Sequence, residues 1–250
     1  MRVIVTGAAG LIGRVLAAGL ADKYELLLYD AQVPRKSAIK RLDMRRLDRA
    51  VTAFANADAV VDLAADTDVA APWSSVYSNN VPATMNALEA ARVAGLRRFV
   101  FASSNHVMGG YEEDEPYAGV IAGRRDDIDP ARLLRIEAGA SIRPDSSYAL
   151  GKALGEAAGR LYADRYGLSV IALRIGSVLP TDRPTNDRHR ATFLSHRDLV
   201  QLVDRAIQAP PTLDFGIFFG VSDNRWRIWD IEQARSALAY EPVDDAERYL

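Results

Sequence analysis

The chain has 250 residues, 49% of them hydrophobic and 26% charged, with a formal net charge of -2 at pH 7. That length buries one large core and leaves two full domains cramped, and the near-neutral balance excludes the basic excess that nucleic acid or an anionic membrane demands. With no cysteine, disulfides, thiolate catalysis and cysteine-held metals are excluded, and three histidines (His106, His189 and His196) in no ligand spacing give no reason to expect a metal.

In chain order, Val3-Ile4-Val5 predicts a first strand over 2–6, and a helix follows over 11–22. Between them lies Thr6-Gly7-Ala8-Ala9-Gly10-Leu11-Ile12-Gly13. A glycine-rich turn from strand to helix is the architecture of a dinucleotide pyrophosphate site. Gly7 allows the tight turn, Gly10 lets backbone approach a phosphate, and Gly13 packs helix closely on strand. The N–H groups of the helix start, at the positive end of its dipole, then face the phosphates.

The second strand, over 25–30, closes on Asp30, 17 residues past Gly13. That is roughly the offset at which a carboxylate takes the ribose hydroxyls. It would repel a 2′-phosphate, so NAD is favoured over NADP, while Arg35 and Lys36 keep NADP in play. A short strand near 39–43, a helix over 46–56, a strand over 58–64, a helix over 79–95 and a strand over 97–103 come next. A helix over 146–166 and a strand over 168–175 complete the alternation. Apolar runs such as Ala59-Val60-Val61 suit strands covered on both faces.

The pattern predicts an α/β fold with a doubly wound, Rossmann-like parallel sheet, as one domain spanning 1–250. Residues 1–175 form its dinucleotide-binding core. Residues 110–145 are an insertion over the carboxyl edge of the sheet, with a short helix over 130–136, and read equally as a lid or a surface loop. Residues 176–250, punctuated by Pro180, Pro184, Pro210 and Pro211, predict a small substrate-covering lobe with helix starts at Ser195 and Asp230. With no signal peptide and no apolar run of spanning length, the expectation is a soluble cytoplasmic protein with no membrane partner.

Tyr148-Ala149-Leu150-Gly151-Lys152 supplies a second constellation. A separation of four places both side chains on one helical face, where an ammonium favours the phenolate of a tyrosine that is otherwise a poor base at neutral pH. Ser103-Ser104-Asn105-His106 ends the preceding strand at the sheet's carboxyl edge, so a serine hydroxyl can share a substrate oxygen with Tyr148.

On these residues the chain resembles the extended short-chain dehydrogenase/reductase family from Arg2 to about Tyr249. The resemblance implies an oxidoreductase with NAD as cofactor and with Ser104, Tyr148 and Lys152 as its catalytic set. It also implies cofactor contacts from Gly7, Gly10, Leu11, Ile12, Gly13 and Asp30, from Asp43 and Met44 beside the adenine, and from Leu63, Ala64 and Ala65. Asn80 matches the asparagine that supports the active site.

Within the family, four strings are similar to uronate dehydrogenases and the related archaeal NAD-dependent sugar and sugar-phosphate C1 dehydrogenases. They are Ser103-Ser104-Asn105-His106, Arg174-Ile175-Gly176-Ser177, Ser195-His196-Arg197-Asp198 and Gly220-Val221-Ser222-Asp223-Asn224. This likeness implies that Thr67, Ser104, Asn105, His106 and Ser177 contact a sugar and that Arg188 holds its carboxylate. The expected activity is oxidation of C1 of an anionic sugar to its lactone. A hexuronate ranks first, an aldose 6-phosphate second and a neutral aldose third. A nucleotide-sugar epimerase or dehydratase using the same residues is the alternative, and a non-catalytic NAD-binding regulator is a third class. The family pairs helices into dimers, so apolar positions along 79–95 and 146–166 serve either a homo-oligomer or the internal core.

Overall fold

Val3, Ile4 and Val5 are apolar in succession because β1 (Arg2–Thr6) is covered on both faces, and all three are fully buried. The computed structural model describes residues 1–249. Its single sheet has the order β3-β2-β1-β4-β5-β6-β7, with every adjacent pair parallel. The other strands are β2 (Glu25–Asp30), β3 (Lys40–Arg41), β4 (Ala59–Asp62), β5 (Arg98–Ser104), β6 (Ser169–Ile175) and β7 (Phe215–Gly220). Strand order reverses between β1 and β4, and such a switch point opens a crevice outside the strands' carboxyl ends.

Alternation along β1 sorts the helices into two layers. Val3 and Val5 meet Leu16 and Leu20 of α1 (Leu11–Leu20) and Leu199 and Leu202 of α7 (His196–Ile207). Ile4 points the other way, into a cluster with Phe54 of α2 (Leu47–Phe54), Leu88 of α3 (Trp73–Val93) and Tyr162 of α5 (Ser147–Tyr166). The start of α5 is set by Ser146, whose hydroxyl accepts from Ala149 N at 3.1 Å, and its end by Gly167 at φ 66°. That cap fixes Tyr148 in the first turn, beside Ser104 at the end of β5.

Three readings change. The helix expected over 79–95 begins at Trp73 and carries Pro82 inside it. Residues 176–250 do not stand apart as a lobe: β7 completes the sheet beside β6, and α7 covers one sheet face. Residues 130–136 form no helix. Instead Ile136 N donates to Ile228 O at 2.8 Å, and Asp230 N donates to Ile136 O at 2.9 Å.

This exchange ties the insertion to the C-terminal segment. Met108, Val120, Leu133 and Ile136 share a buried cluster with Trp226, Ile228 and Trp229, and Trp229 stacks on Phe219 at 4.9 Å between centroids. The buried Arg174 guanidinium adds a polar link, holding both oxygens of Glu156 and donating to Ala138 O at 3.0 Å. The insertion is therefore a packed cover over the carboxyl edge, together with α4 (Tyr117–Ile121) and α6 (Asp187–Thr192). The remaining helix, α8 (Glu232–Leu238), starts where the sequence marks it, with Glu232 N donating to Asp230 Oδ1 at 2.6 Å. Among the described residues, no helix is long and apolar enough to cross a membrane, and no group of three or more acidic, His or Cys side chains could hold a metal ion.

Candidate active site

The strand ends open onto a cleft of about 510 Å³ whose wall runs from the glycine turn to Arg188. A second hollow joins it on the β2–β3 side, where Asp43, Met44, Ala64 and Asn80 form the wall; Asp30, Ala65 and Thr67 belong to both.

At the glycine-turn end the backbone is the instrument. Gly7 has φ +65°, and a Cβ there would lie 2.9 Å from the backbone of Leu63; a Cβ on Gly13 would lie 2.5 Å from Gly7 O. No side chain caps α1 and its first turn holds no acid, so its leading N–H groups face the cleft with their dipole uncompensated. Asp30 accepts from Ala9 N at 3.0 Å and from Gln32 N at 2.8 Å, which locks the carboxylate at the junction of the two hollows. A cradle of bare backbone ending in a fixed carboxylate fits the pyrophosphate and ribose of NAD.

Neighbouring expected contacts are held as firmly. The Thr6 hydroxyl accepts from Leu63 N and Ala64 N at 3.1 and 3.2 Å while donating to Asp62 at 2.6 Å. Asn80 spends both ends of its amide on Asp66, accepting from its N–H at 2.8 Å and donating to its carbonyl at 2.9 Å. It thus fixes the 63–67 loop while lining the second hollow. Asp43 is paired with Arg45 at 2.7 Å, and that guanidinium holds its carboxyl below the usual range despite an opposing burial effect.

At the other end, Tyr148 and Lys152 lie in the wall with Ser104, both buried in α5. Lys152 Nζ donates to Ala102 O at 2.6 Å and lies 5.7 Å from the Tyr148 ring centroid. Burial pushes the ammonium down to about 8, opposed by the Asp62 charge. Burial likewise raises the Asp62 carboxyl to about 6, against the Thr6 hydrogen bond and the Lys152 charge. The expected lowering of the phenol is not what the geometry gives. Burial pushes Tyr148 up to about 12 and the Ser104 hydroxyl draws it back, while Lys152 Nζ is hydrogen-bonded to Ala102 O.

The remaining candidates converge on the same cleft: Thr67, Asn105, His106, Ser177 and Arg188 all line it. Asn105 is buried, and its Nδ2 has no hydrogen-bond partner, a donor prepared for a ligand oxygen. His106 Nδ1 lies 2.6 Å from Asp145 Oδ2, which leaves Nε2 as its other polar atom, and its ring stands edge-on to Tyr148 at 6.4 Å. Asp145 is held below the usual carboxylate range by His106, although burial alone would raise it. The Ser177 and Thr192 hydroxyls are hydrogen-bonded to each other at 2.8 Å. Arg188 is gripped by Glu112 at 2.6 and 2.8 Å. The third histidine, His196, has Nε2 at 2.9 Å from Leu179 O and serves the loop.

Sequence reasoning passed over Asp145, Glu112, Thr192 and Asp62. Asp145 carries a faint signal, three residues before Tyr148, with Gly109 leaving the space its carboxylate occupies. Glu112 carries none, since its partner lies 76 residues away.

The model of the NAD dependent epimerase/dehydratase family matches residues 3–197. The NAD-dependent glucose-6-phosphate dehydrogenase of Haloferax volcanii is 32% identical over 99% of this chain and 95% of its own length. The L-arabinose 1-dehydrogenase (NAD(P)(+)) of the same organism is 35% identical over 98% of this chain and 97% of its own. The crystal structure of glucuronic acid dehydrogenase from Chromohalobacter salexigens superposes with a TM-score of 0.84 at 31% identity, covering 99% of this chain and 86% of that one.

Proposed function

Because the chain belongs to the NAD dependent epimerase/dehydratase family and is an NAD-dependent oxidoreductase, we propose that it oxidises C1 of a cyclic sugar to the lactone, with a hexuronate as the favoured substrate. The observation that carries this reading is the meeting of the Ser104 hydroxyl, the Tyr148 phenol and the unpartnered Asn105 Nδ2 in one cleft with the glycine turn. Two oxygen-directed groups and an orphan amide suit a polyhydroxylated ligand better than an apolar one.

In this reading Asn105, His106, Thr67 and Ser177 hold the sugar hydroxyls, and Arg188 takes the carboxylate. Ser104 donates to the anomeric oxygen, and Tyr148 as phenolate removes the hydroxyl proton. Lys152, held by Ala102 O, and Asp62, held by the Thr6 hydroxyl, are buried groups whose charges favour one another and keep the α5 side of the cleft polar. Bound NAD supplies the hydride acceptor for C1. The balance is aldose plus NAD giving lactone, NADH and one proton.

Incubating the protein with NAD and a panel of uronates, aldose 6-phosphates and neutral aldoses tests the proposal through the absorbance of reduced nicotinamide. Net NADH with lactone formation is expected, fastest with a uronate. Sugar conversion without net NADH would assign the site to epimerase or dehydratase chemistry instead, and NAD binding with no turnover of any sugar would assign it to a regulator.

A further inference from the structure

Glu112 closes the 3-10 turn Asn105–Glu113 that follows β5, and its carboxylate faces Arg188. Arg188 Nε donates to Oε2 at 2.6 Å and Nη2 donates to Oε1 at 2.8 Å. This is the side-on edge of the guanidinium. Nη1 makes no hydrogen bond among the described residues, so the end-on edge, Nη1 with the second proton of Nη2, remains for a ligand in the cleft that Arg188 lines. Two parallel N–H groups on that edge match one carboxylate. The two side chains are 27% and 11% exposed, shallow enough to reach a ligand and deep enough for weak screening.

The charge around this edge is sparse and partly cancelled. Burial raises the Asp145 carboxyl, and Asp145 lies close enough for the Arg188 charge to join the larger His106 contact in holding it low. His189, also in the cleft wall, is pushed down by burial and then by Arg188, so it adds no fixed cation. The neighbouring arginines are committed elsewhere: Arg190 grips Glu247 at 2.9 and 3.0 Å, Arg125 lies 3.3 Å from Asp187, and Arg183 stacks over Tyr249. One guanidinium therefore meets any incoming anion with two fixed carboxylates behind it.

We propose that Glu112 is a specificity residue: it aims Arg188 and, through its own charge, limits the accepted anion to a single negative charge, favouring a carboxylate over a phosphate dianion. This deepens the sugar-oxidation reading and rests on it. A second charge on the ligand gains little from a guanidinium that Glu112 already neutralises, and it is repelled by Glu112 itself.

Glu112→Gln keeps the shape and removes the charge. Expected is a rise of roughly tenfold in kcat/KM for glucose 6-phosphate relative to glucuronate, carried by KM, with uncharged glucose unmoved. Glu112→Asp keeps the wild-type ratio. An unchanged ratio, or an equal loss for all three sugars, overturns the proposal, the second because a merely structural residue would act that way.

Calorimetric titration of the NADH-loaded wild type and variants with glucuronate and glucose 6-phosphate reads the same ratio without turnover. Binding that discriminates in wild type but never yields NADH sinks the dehydrogenase reading and leaves the filter standing. NADH formation with no effect of Glu112→Gln sinks the filter alone.

Should Glu112→Gln not fold, wild type gives a second reading. The second ionisation of a sugar phosphate lies near pH ~6. The Kd ratio of phosphate to uronate must therefore fall as pH drops through that value. Glu112, Asp145, His106, His189 and Arg188 face both ligands, and the part of their effect common to the two cancels in the ratio. A flat or rising ratio, or no glucuronate binding at all, refutes the filter.

Discussion

The end of the cleft proposed to hold the nucleotide and the end proposed to hold the sugar are built by different means. At the nucleotide end, bare backbone does the work within short stretches of chain: the 6–13 turn, Asp30 tied to Ala9 N, and Thr6 tied to Leu63 and Ala64. At the sugar end, side chains do the work, and each is set by a distant partner. His106 relies on Asp145, Ser177 on Thr192 and Arg188 on Glu112. Backbone cradles bind a phosphate whatever else the ligand carries, whereas side-chain pairs can be retuned one at a time. The names of two relatives carry NAD or NAD(P)(+), and the sugars named among the relatives differ in charge.

The sharpest break between the two ends is Tyr148→Phe. Turnover should fall by about 10³-fold or more while NAD affinity, measured calorimetrically, stays nearly unchanged; near-normal turnover would remove Tyr148 from the chemistry. Gly13→Ala cuts the other way. Its Cβ would meet Gly7 O at 2.5 Å, and overpacking of roughly 1–3 kcal/mol should raise the Kd for NAD about tenfold or more, with a lower Tm. If Tm alone fell, the turn would be structural and not a cradle.

Asp145→Asn tests a side-chain pair by itself. His106 would keep a hydrogen-bond partner without a charge, and kcat/KM for the sugar should drop roughly tenfold. NAD binding should not move, since Asp145 lies at the sugar end, and a change confined to NAD binding would contradict the division drawn above.

The smallest effect belongs to Ser104→Ala. Oxidation needs the Tyr148 phenolate, and burial holds that phenol near 12 against the Ser104 hydroxyl. The oxidation rate should thus climb as pH rises above neutral. Removing Ser104 raises the phenol further, so the rising limb must shift to higher pH. A pH–rate profile that is flat, or that shifts downward, would show another group to be the base.

The same division explains what was legible in the sequence. The parallel sheet, the glycine turn and Asp30 were readable because apolar runs and glycine spacing are local consequences of strands covered on both faces and of backbone approach. The place of β7 was not. Phe215-Gly216-Ile217-Phe218-Phe219 follows two prolines, and only its register against β6 makes it part of the sheet. The start of α3 was not legible either: the helix runs from Trp73 through Pro82, six residues before the pattern expected over 79–95.

In the cleft, groups lying on a strand end or helix face, such as Ser104, Tyr148 and Lys152, could be placed from topology. Their electrostatic settings could not. The spacing of Tyr148 and Lys152 implied a lowered phenol, yet the fold buries it and turns the lysine toward Ala102 O. Glu112 and Asp145 lie 76 and 39 residues from the groups they hold, so only the packed insertion brings them into play.

The claim at the centre is that hydrogen leaves C1 of a sugar as hydride within this cleft. Glucuronate carrying deuterium at C1, incubated with the protein and NAD, tests it directly. The label should appear at C4 of the reduced nicotinamide with a slowed rate, while unlabelled NADH, or label returned to the sugar, would contradict it.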